Sequence, residues 1–351
     1  MPLQTYHDRR AWILENDAIS VVLLEDGGHV AAVIDKASGL NPLWQPPWPS
    51  IEPSTFGAAH ETLYGSGADA RLLAGIMGHN VCLDIFGGPS DEEAAEGLTA
   101  HGEGSVTTYH IEGSAGAATM TATFPLALIT LQRQVELHGR WIRVRDSVEH
   151  HGRVDRPIGW TQHVTLGPPY LERGATVFHL SATRSKVFPG PFGPADDLEQ
   201  GAEFDWPLAP LKGGNQGARD LRLCNAAAVS SAYTAHLLDP EVQDAYFVAY
   251  SPSAKLAFGY VWRRADFPWA GIWEESSSRA HTPWNGRTLT RAVEFGVSPF
   301  PESRREMVDR GRLFGERTFR WLPARARIAV EYWIVLEPAD AIPERLTRPR
   351  A

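Results

Sequence analysis

The sequence predicts an all-β fold, a large, twisted, antiparallel β-sandwich with few short helices. Short apolar segments alternate with turn residues along most of the chain. The 32 glycines and 26 prolines end regular elements early, and the 12 tryptophans suit pleated sheets. With 351 residues, 43% of them hydrophobic, the chain can bury a large core. Because no linker of distinct composition divides it, we expect one domain over residues 1–351, with its core at about 19–336.

The first third predicts antiparallel strands that lead into polar strand ends. Residues 19–34 contain two apolar runs around a turn at Gly27 and Gly28, which is typical of a hairpin. The proline-rich segment 41–56 predicts an extended loop. Residues 71–88 predict a strand interrupted at 78–80.

Two helices are expected in an otherwise β chain. Ser90 and Glu93 form a capping-box pattern, which predicts one or two helical turns. Residues 301–319 are the only other credible helix or irregular connector. Between the helices, residues 107–167 predict a β-meander and residues 188–217 a long insertion between sheets, and further strands follow up to residue 338.

Composition limits the classes of partner. The formal charge of −9 and the absence of a Lys/Arg block argue against nucleic acid and against an anionic membrane surface. No apolar run is long enough for a membrane span, and the N-terminus lacks a signal-peptide pattern, so we expect a cytoplasmic protein. Cys82 and Cys224 show no metal or redox spacing. A small neutral or polar ligand fits this composition best.

Three segments contain groups suited to proton transfer. His101 lies in the loop GLTAHGEGS, where glycines allow a ligand or a second backbone to approach closely. His163 lies in the strand-like GWTQHVTLG, and Glu274 and Glu275 end the strand-like PWAGIWEES. Two imidazoles and a carboxylate can supply an acid, a base and an orienting hydrogen bond. Because strand residues alternate between faces, only one of the two glutamates is expected to face a given cleft.

These segments resemble the galactose mutarotase-like, or aldose 1-epimerase, superfamily of large antiparallel β-sandwiches. The resemblance rests on the order and spacing of HGEG at His101, QHVTLG at His163, GIWEE ending at Glu275, and RAVEFGVSPFP at 291–301. It covers about residues 19–336. It implies the supersandwich fold and acid/base opening of a sugar ring, with no cofactor and no metal.

The resemblance also implies roles for individual residues. His101 would hold the sugar, His163 would protonate the ring oxygen, and Glu275 would remove the proton of the anomeric hydroxyl. Glu275 is preferred to Glu274 because it lies four residues after Gly271, the spacing expected of the family's late strand.

The chain departs from the family pattern at three positions. A histidine replaces the family's arginine, Gln162 replaces an asparagine, and Glu103 stands where a second glycine is usual. An Arg-to-His exchange removes a planar donor fork, so the substrate can differ from free galactose. The expected substrate contacts are His79, Asn80, Glu103, Gln162, Trp160, Glu274 and Trp284.

Two other functions are compatible with the sequence. One is a non-catalytic sugar-binding or regulatory sandwich, in which the histidines and glutamates are only structural. The other is hydrolysis or lysis of a glycosidic bond, which requires paired carboxylates, about 5 to 5.5 Å apart in retaining and about 6.5 to 9.5 Å apart in inverting enzymes. Glu275 with Glu103 or Asp84 is the pairing to check. The sequence leaves the sugar and the oligomeric state open.

Overall fold

A computed structural model describes residues 3–213 and 217–349 of the chain. Antiparallel strands dominate, and the four α-helices in the described residues are short: α1 (Glu61–Tyr64), α2 (Ala70–Gly75), α3 (Asp91–Ala95) and α4 (Arg304–Arg310). The strands in this part of the chain are β1 (Gln4–Tyr6), β2 (Arg9–Glu15), β3 (Ile19–Leu24), β4 (Val30–Asp35), β5 (His79–Asp84), β6 (His110–Gly113), β7 (Ala117–Phe124), β8 (Ile129–His138), β9 (Trp141–His150), β10 (Arg156–Leu166), β11 (Val177–Leu180), β12 (Ala182–Val187), β13 (Glu203–Asp205), β14 (Leu208–Pro210), β15 (Ala218–Asp220), β16 (Ser230–Leu238), β17 (Asp244–Ser251), β18 (Leu256–Arg263), β19 (Trp269–Ser276), β20 (Leu289–Gly296), β21 (Arg312–Leu313), β22 (Glu316–Arg317), β23 (Arg320–Leu322) and β24 (Arg327–Pro338).

Most strands belong to two large sheets. The first has twelve strands in the order β1-β2-β3-β4-β5-β10-β20-β19-β16-β12-β13, with β23 paired to the start of β10. The second has eight strands in the order β11-β17-β18-β24-β9-β8-β7-β6. Two short hairpins, β14-β15 and β21-β22, lie outside them. The architecture is therefore the antiparallel β-sandwich that the sequence predicts.

The two sheets pack face to face around one large apolar core. The twelve-stranded sheet contributes Val164 and Val293, and the eight-stranded sheet contributes Val144 and Ile334, all of them buried. Alternate residues of β10 and β20 therefore face this core, and the residues between them face the opposite side of the sheet. That opposite side carries the candidate site.

The structure confirms the predicted hairpin and the predicted helix at Ser90, and in segment 301–319, where the sequence allowed a helix or an irregular connector, it forms the short helix α4. β3 and β4 pair antiparallel across Gly27 and Gly28. In α3, the Ser90 hydroxyl oxygen accepts from the Glu93 backbone N–H, and the Glu93 carboxylate accepts from the Ser90 N–H. α4 has the same capping box at its N-terminus.

The strand predicted over residues 71–88 is partly wrong. Its first part is the helix α2, and the strand β5 begins only at His79. The run ARLLAG consists largely of strong helix formers. The buried Leu72 and Leu73 pack this short helix against Trp44 and Trp48 of the proline-rich loop. Local helix propensity and packing thus outweigh the continuous apolar pattern.

The long segment 188–217 forms little regular structure, as expected. β13 and β14 are three-residue strands, and residues 214–216 lie outside the described part. No helix in residues 3–213 and 217–349 is long and apolar enough to cross a bilayer. Over the same residues, His, Cys, Asp and Glu side chains form no group of three or more that could hold a metal ion.

Candidate active site

The candidate site lies on the face of the twelve-stranded sheet that points away from the second sheet. In β10, Val164 and Leu166 face the core, so His163 and Thr165 face the other side. In β19, Trp273 lies on this same outer side, among the aromatic residues of a second apolar cluster. Loops partly cover this face and leave a cavity that is open to solvent on one side.

His163 and Glu294 form the central contact of the site. They are register partners on the adjacent strands β10 and β20. The Nε2 atom of His163 lies 3.0 Å from Oε1 of Glu294, and its Nδ1 atom lies 3.0 Å from the Thr165 hydroxyl. Both side chains are at most 5% exposed. An imidazole and a carboxylate are therefore held in direct contact by sheet geometry.

His101 approaches this pair from the loop between α3 and β6. Its backbone is left-handed, with φ of 66°, and the following Gly102 has φ of 77°. A Cβ at Gly102 would overlap the carbonyl oxygen of Leu83, so glycine allows the loop to lie directly on β5. The ring centroids of His101 and His163 are 5.2 Å apart. The sequence prediction of a close backbone approach at this loop is confirmed.

The ring of His101 is held as the neutral form. Its Nδ1–H donates to the carbonyl of Phe86 at 2.6 Å, and a carbonyl can only accept. Burial lowers the pKa of His101 to about 3, and neighbouring His163 adds to this effect. Nε2 of His101 is therefore a hydrogen-bond acceptor at neutral pH.

These residues border a cavity of about 230 Å³. This volume is below the roughly 300 to 1,000 Å³ of sites for drug-sized ligands, so the cavity suits a single-ring molecule. Its walls are largely apolar and include Phe192, Tyr233, Trp273 and Trp284. The Trp273 ring centroid lies 5.8 Å from that of His163. The lining residues that carry the chemistry are His101, His163, Tyr233, Trp273, Arg279, Trp284 and Glu294.

Trp284 belongs to a buried tryptophan cluster at one wall of the cavity. Its ring stacks on Trp44 at 6.3 Å and meets Trp48 edge-on at 5.1 Å. The Trp48 indole N–H donates to the carbonyl of Leu73 at 2.9 Å. The proline-rich loop therefore packs behind the cavity wall, and Trp284 is the member of the cluster that lines the cavity.

Tyr233 closes the cavity floor beside Glu294. Its hydroxyl donates to the carbonyl of Pro299 at 3.1 Å. Gly271 is the register partner of Glu294, and a Cβ there would overlap the Tyr233 hydroxyl oxygen. Burial raises the pKa of Tyr233 well above its usual value, and the Glu294 carboxylate adds to the shift. The Tyr233 hydroxyl therefore stays protonated and uncharged, and the side chain only lines the cavity.

Glu275 does not lie beside the two imidazoles, in contrast to the sequence expectation. Its carboxylate accepts from the Ser278 backbone N–H and hydroxyl, both at 2.7 Å, and from the Arg279 N–H at 3.2 Å. Glu274 faces the other side of the sheet, where it accepts from Arg291 at 3.0 Å and from Arg219 at 3.2 Å. The structure places Glu294 where the sequence analysis expected Glu275.

Three predicted substrate contacts lie in the core between the sheets. Trp160 is fully buried there. The Gln162 side-chain oxygen accepts from His79 Nε2–H at 2.9 Å and from Arg133 at 3.0 Å, and its amide donates to Asp146 at 3.0 Å. Because His163 faces the site, strand alternation turns Gln162 away from it. His79, Trp160 and Gln162 do not line the cavity.

Asn80 and Glu103 support the loop that carries His101. The Asn80 amide donates to the Ser105 hydroxyl at 2.9 Å, and Glu103 accepts from the Ala127 backbone N–H at 2.9 Å. Burial raises the pKa of Glu103 above its usual value. Neither residue lines the cavity, so of the ten predicted site residues the structure brings together His101, His163 and Trp284.

Sequence reasoning missed Glu294 and Arg279. Glu294 lies inside RAVEFGVSPFP, a segment that contributed to the family resemblance. Its place beside His163 depends on which strands are neighbours, and the sequence pattern does not show this. Arg279 follows Glu275 by four residues in a polar loop and has no sequence signal of its own.

The fold matches that of galactose mutarotase-like proteins. A galactose mutarotase related enzyme from Lactobacillus acidophilus aligns with a TM-score of 0.60 at 13% identity, over 95% of this chain and 99% of that chain. A candidate aldose 1-epimerase from Klebsiella pneumoniae aligns with a TM-score of 0.65 at 13% identity, over 96% and 82%. A galactose mutarotase-like protein from Clostridium acetobutylicum aligns with a TM-score of 0.60 at 11% identity, over 96% and 98%.

No protein-family model and no curated protein sequence matches the chain. At these low identities the structural matches establish the fold.

Proposed function

We propose that the protein interconverts the anomers of a sugar by acid/base opening of its ring, as an aldose 1-epimerase does. The observation that carries this proposal is the contact of 3.0 Å between His163 and Glu294, beside His101 in one cavity of single-ring size. The fold shared with galactose mutarotase-like proteins supports it.

In this mechanism Glu294 is the base and His163 is the acid. Glu294 takes the proton of the anomeric hydroxyl, and the C1–O bond to the ring oxygen breaks as His163 delivers a proton to that oxygen. Rotation about the C1–C2 bond then presents the other face of the aldehyde. Closure reverses both transfers, so each turnover returns both protons and leaves no net charge change.

His101 and the aromatic walls would position the sugar. Nε2 of His101 can accept a hydrogen bond from a sugar hydroxyl, because Nδ1–H is committed to Phe86. The indole faces of Trp273 and Trp284 offer apolar surfaces to the C–H face of the ring. The substrate must enter between His163 and Glu294, so their hydrogen bond to each other would be exchanged for bonds to the two sugar oxygens.

The proposal can be tested by exchange NMR or polarimetry on freshly dissolved aldoses. The wild type should accelerate anomer interconversion, and Glu294→Gln should lower kcat by roughly 100- to 10,000-fold, the range for a general acid or base. Glu275→Gln is the matched control, since it removes a buried carboxylate from the neighbouring strand, and it should leave the rate for a neutral sugar within a few fold. Equal rates for wild type and Glu294→Gln would refute the assignment of the base.

Binding without turnover is a second candidate, favoured by the position of His79. This histidine stands where the family that the motifs resemble has an arginine, and its side chain lies in the core and not in the cavity. Calorimetry on the same sugars separates the two candidates. Measurable affinity together with an unaccelerated anomer interconversion would favour a binding protein.

The structure offers less to a hydrolase. The Glu103 carboxylate accepts from the Ala127 N–H in the turn between β7 and β8. Asp84 is bound by Arg156 and Arg304 through charged hydrogen bonds of 2.5 to 3.0 Å. Neither carboxylate lines the cavity with Glu294. Release of reducing ends from oligosaccharides would overturn this interpretation.

A further inference from the structure

A guanidinium group borders the cavity at its tryptophan wall. The Arg279 side chain lies over the ring of Trp284 at 4.7 Å and near that of Trp273 at 5.6 Å. Its Nε atom lies 3.3 Å from the Glu275 carboxylate. Within the described residues its two terminal nitrogens have no hydrogen-bond partner. The guanidinium group is thus held in place, and its two terminal nitrogens are available to a ligand.

Glu275 and the turn after β19 fix the position of this arginine. The Glu275 carboxylate is 1% exposed and accepts from Ser278 and from the Arg279 backbone as well as facing the Arg279 side chain. Stacking on two indole rings restrains the rest of the side chain. A guanidinium restrained in this way loses little conformational entropy when it binds a planar or tetrahedral anion.

The environment of Arg279 favours a second anion. Its side chain is about a quarter exposed, and burial lowers its pKa below the usual value. A partly desolvated positive charge gains from an additional anionic partner. Asp69, the other acidic group near Arg279 at the cavity, is exposed, so water screens its charge.

The same wall has further donors without acceptors. The indole N–H groups of Trp273 and Trp284 are buried and have no hydrogen-bond partner in the described residues. A buried donor without an acceptor has lost its hydrogen bond to water without replacement, which is unfavourable. Both indoles line the cavity beside Arg279. This end of the cavity therefore has three side chains with unused donor groups next to the exposed Asp69, whereas His101 and Glu294 supply acceptors elsewhere in it.

We propose that the substrate is an aldose with an anionic substituent, a phosphate or a carboxylate, which Arg279 binds while the anomeric carbon lies at His163 and Glu294. The inference rests on the proposed epimerase function and specifies its substrate class. The ring of Trp273 is close to both groups, because its centroid lies 5.8 Å from the centroid of the His163 ring and 5.6 Å from the guanidinium carbon of Arg279. One sugar ring lying along this indole can reach both.

The test is isothermal titration calorimetry with glucose, glucose 6-phosphate and glucuronate. The wild type should bind at least one of the two anionic sugars more tightly than glucose, and their comparison identifies phosphate or carboxylate as the preferred group. Arg279→Gln should weaken binding of that sugar roughly 10- to 100-fold, the effect of losing a hydrogen-bonded charge pair, with less than about threefold change for glucose. Arg279→Lys keeps the charge without the fork and should lie between the two.

Arg287→Gln is the matched control. It removes the same charge from an exposed position in the same loop, and Arg287 does not line the cavity. Its affinities should equal those of the wild type. The inference is overturned if the wild type binds glucose as tightly as both anionic sugars, if neither anionic sugar binds, or if Arg279→Gln and Arg287→Gln behave alike.

Anomer interconversion, measured on the same three sugars, separates this inference from the proposed function. Acceleration for all three with no effect of Arg279→Gln would leave the epimerase assignment standing and refute the role of Arg279. Binding that depends on Arg279 with no acceleration would refute the epimerase assignment and retain the ligand class.

Discussion

Replacing Asp146 by Asn should strongly destabilise the fold, because it leaves a positive charge unpaired in the core. Arg133 and Asp146 are 1% and 0% exposed, and two hydrogen bonds of 2.7 and 2.8 Å join them. Removing one partner of a buried pair generally costs about 3 to 5 kcal/mol, since the remaining charge has lost both water and its counter-ion. Asp146→Asn should therefore lower the free energy of unfolding by about that amount.

Urea unfolding followed by tryptophan fluorescence measures this change. Glu331→Gln is the matched control, because the carboxylate of Glu331 accepts from Arg143 at 2.7 and 2.9 Å on the solvent side of the same sheet. This pair joins β9 to β24, whereas Arg133 and Asp146 join β8 to β9. The side chains of Arg143 and Glu331 are 38% and 31% exposed, so the free energy of unfolding of this variant should fall by less than about 1 kcal/mol. A loss for Asp146→Asn as small as that of the control would refute the reasoning.

A double variant tests the same physical argument from the other direction. Arg133→Met combined with Asp146→Leu removes both charges, and apolar replacements of a buried pair are often neutral or stabilising. Here the double variant also removes two hydrogen bonds from Gln162, which limits the recovery. It should nevertheless be more stable than Asp146→Asn alone.

Two further predictions concern acid sensitivity and one glycine. Burial lowers the pKa of His29 and of His236 to about 3, so both stay neutral in the fold while the unfolded chain takes up protons below about pH 6.5. Stability should fall as pH decreases through this window, by about 1.4 kcal/mol per pH unit for each histidine, and His236→Gln should flatten that slope in urea titrations. A slope unchanged by the substitution would contradict it. Gly102→Ala should lower the unfolding free energy by about 1 to 3 kcal/mol and displace His101, because φ is 77° and the Cβ meets the Leu83 carbonyl. Gly116→Ala is the control, because a Cβ there meets open space, and it should leave the unfolding free energy unchanged in the same urea unfolding measurements.

Strand alternation could have located more of the site than the motifs did. If His163 faces a cavity, its neighbour Gln162 must face the opposite side, and the structure places Gln162 in the core. The same parity separates His79, which faces the core, from Asn80 on the site face of β5. Motif spacing placed His79, Asn80, Gln162 and His163 near the substrate. Because successive strand residues point to opposite faces, only two of the four can lie on the face that carries the site.

The partner of His163 could not be found in this way. β19 follows β18 in the chain, but in the sheet β20 lies between β10 and β19. Glu275 is therefore two strands away from His163, at about 4.8 Å per strand, whereas Glu294 is one strand away and in register. Such pairing depends on long-range topology, which the local pattern of one sequence does not encode.

The shared strand β10 connects the core network to the chemistry of the site. His163 on one face and Gln162 on the other are fixed by one backbone, and Gln162 is held by the pair of Arg133 and Asp146. If that network only stabilises the fold, Asp146→Asn should lose stability but bind sugar normally under conditions where it remains folded. If the network also fixes the register of β10, sugar affinity should fall together with stability. The core pair would then act as a positioning element for His163, because no side chain of the network touches the cavity.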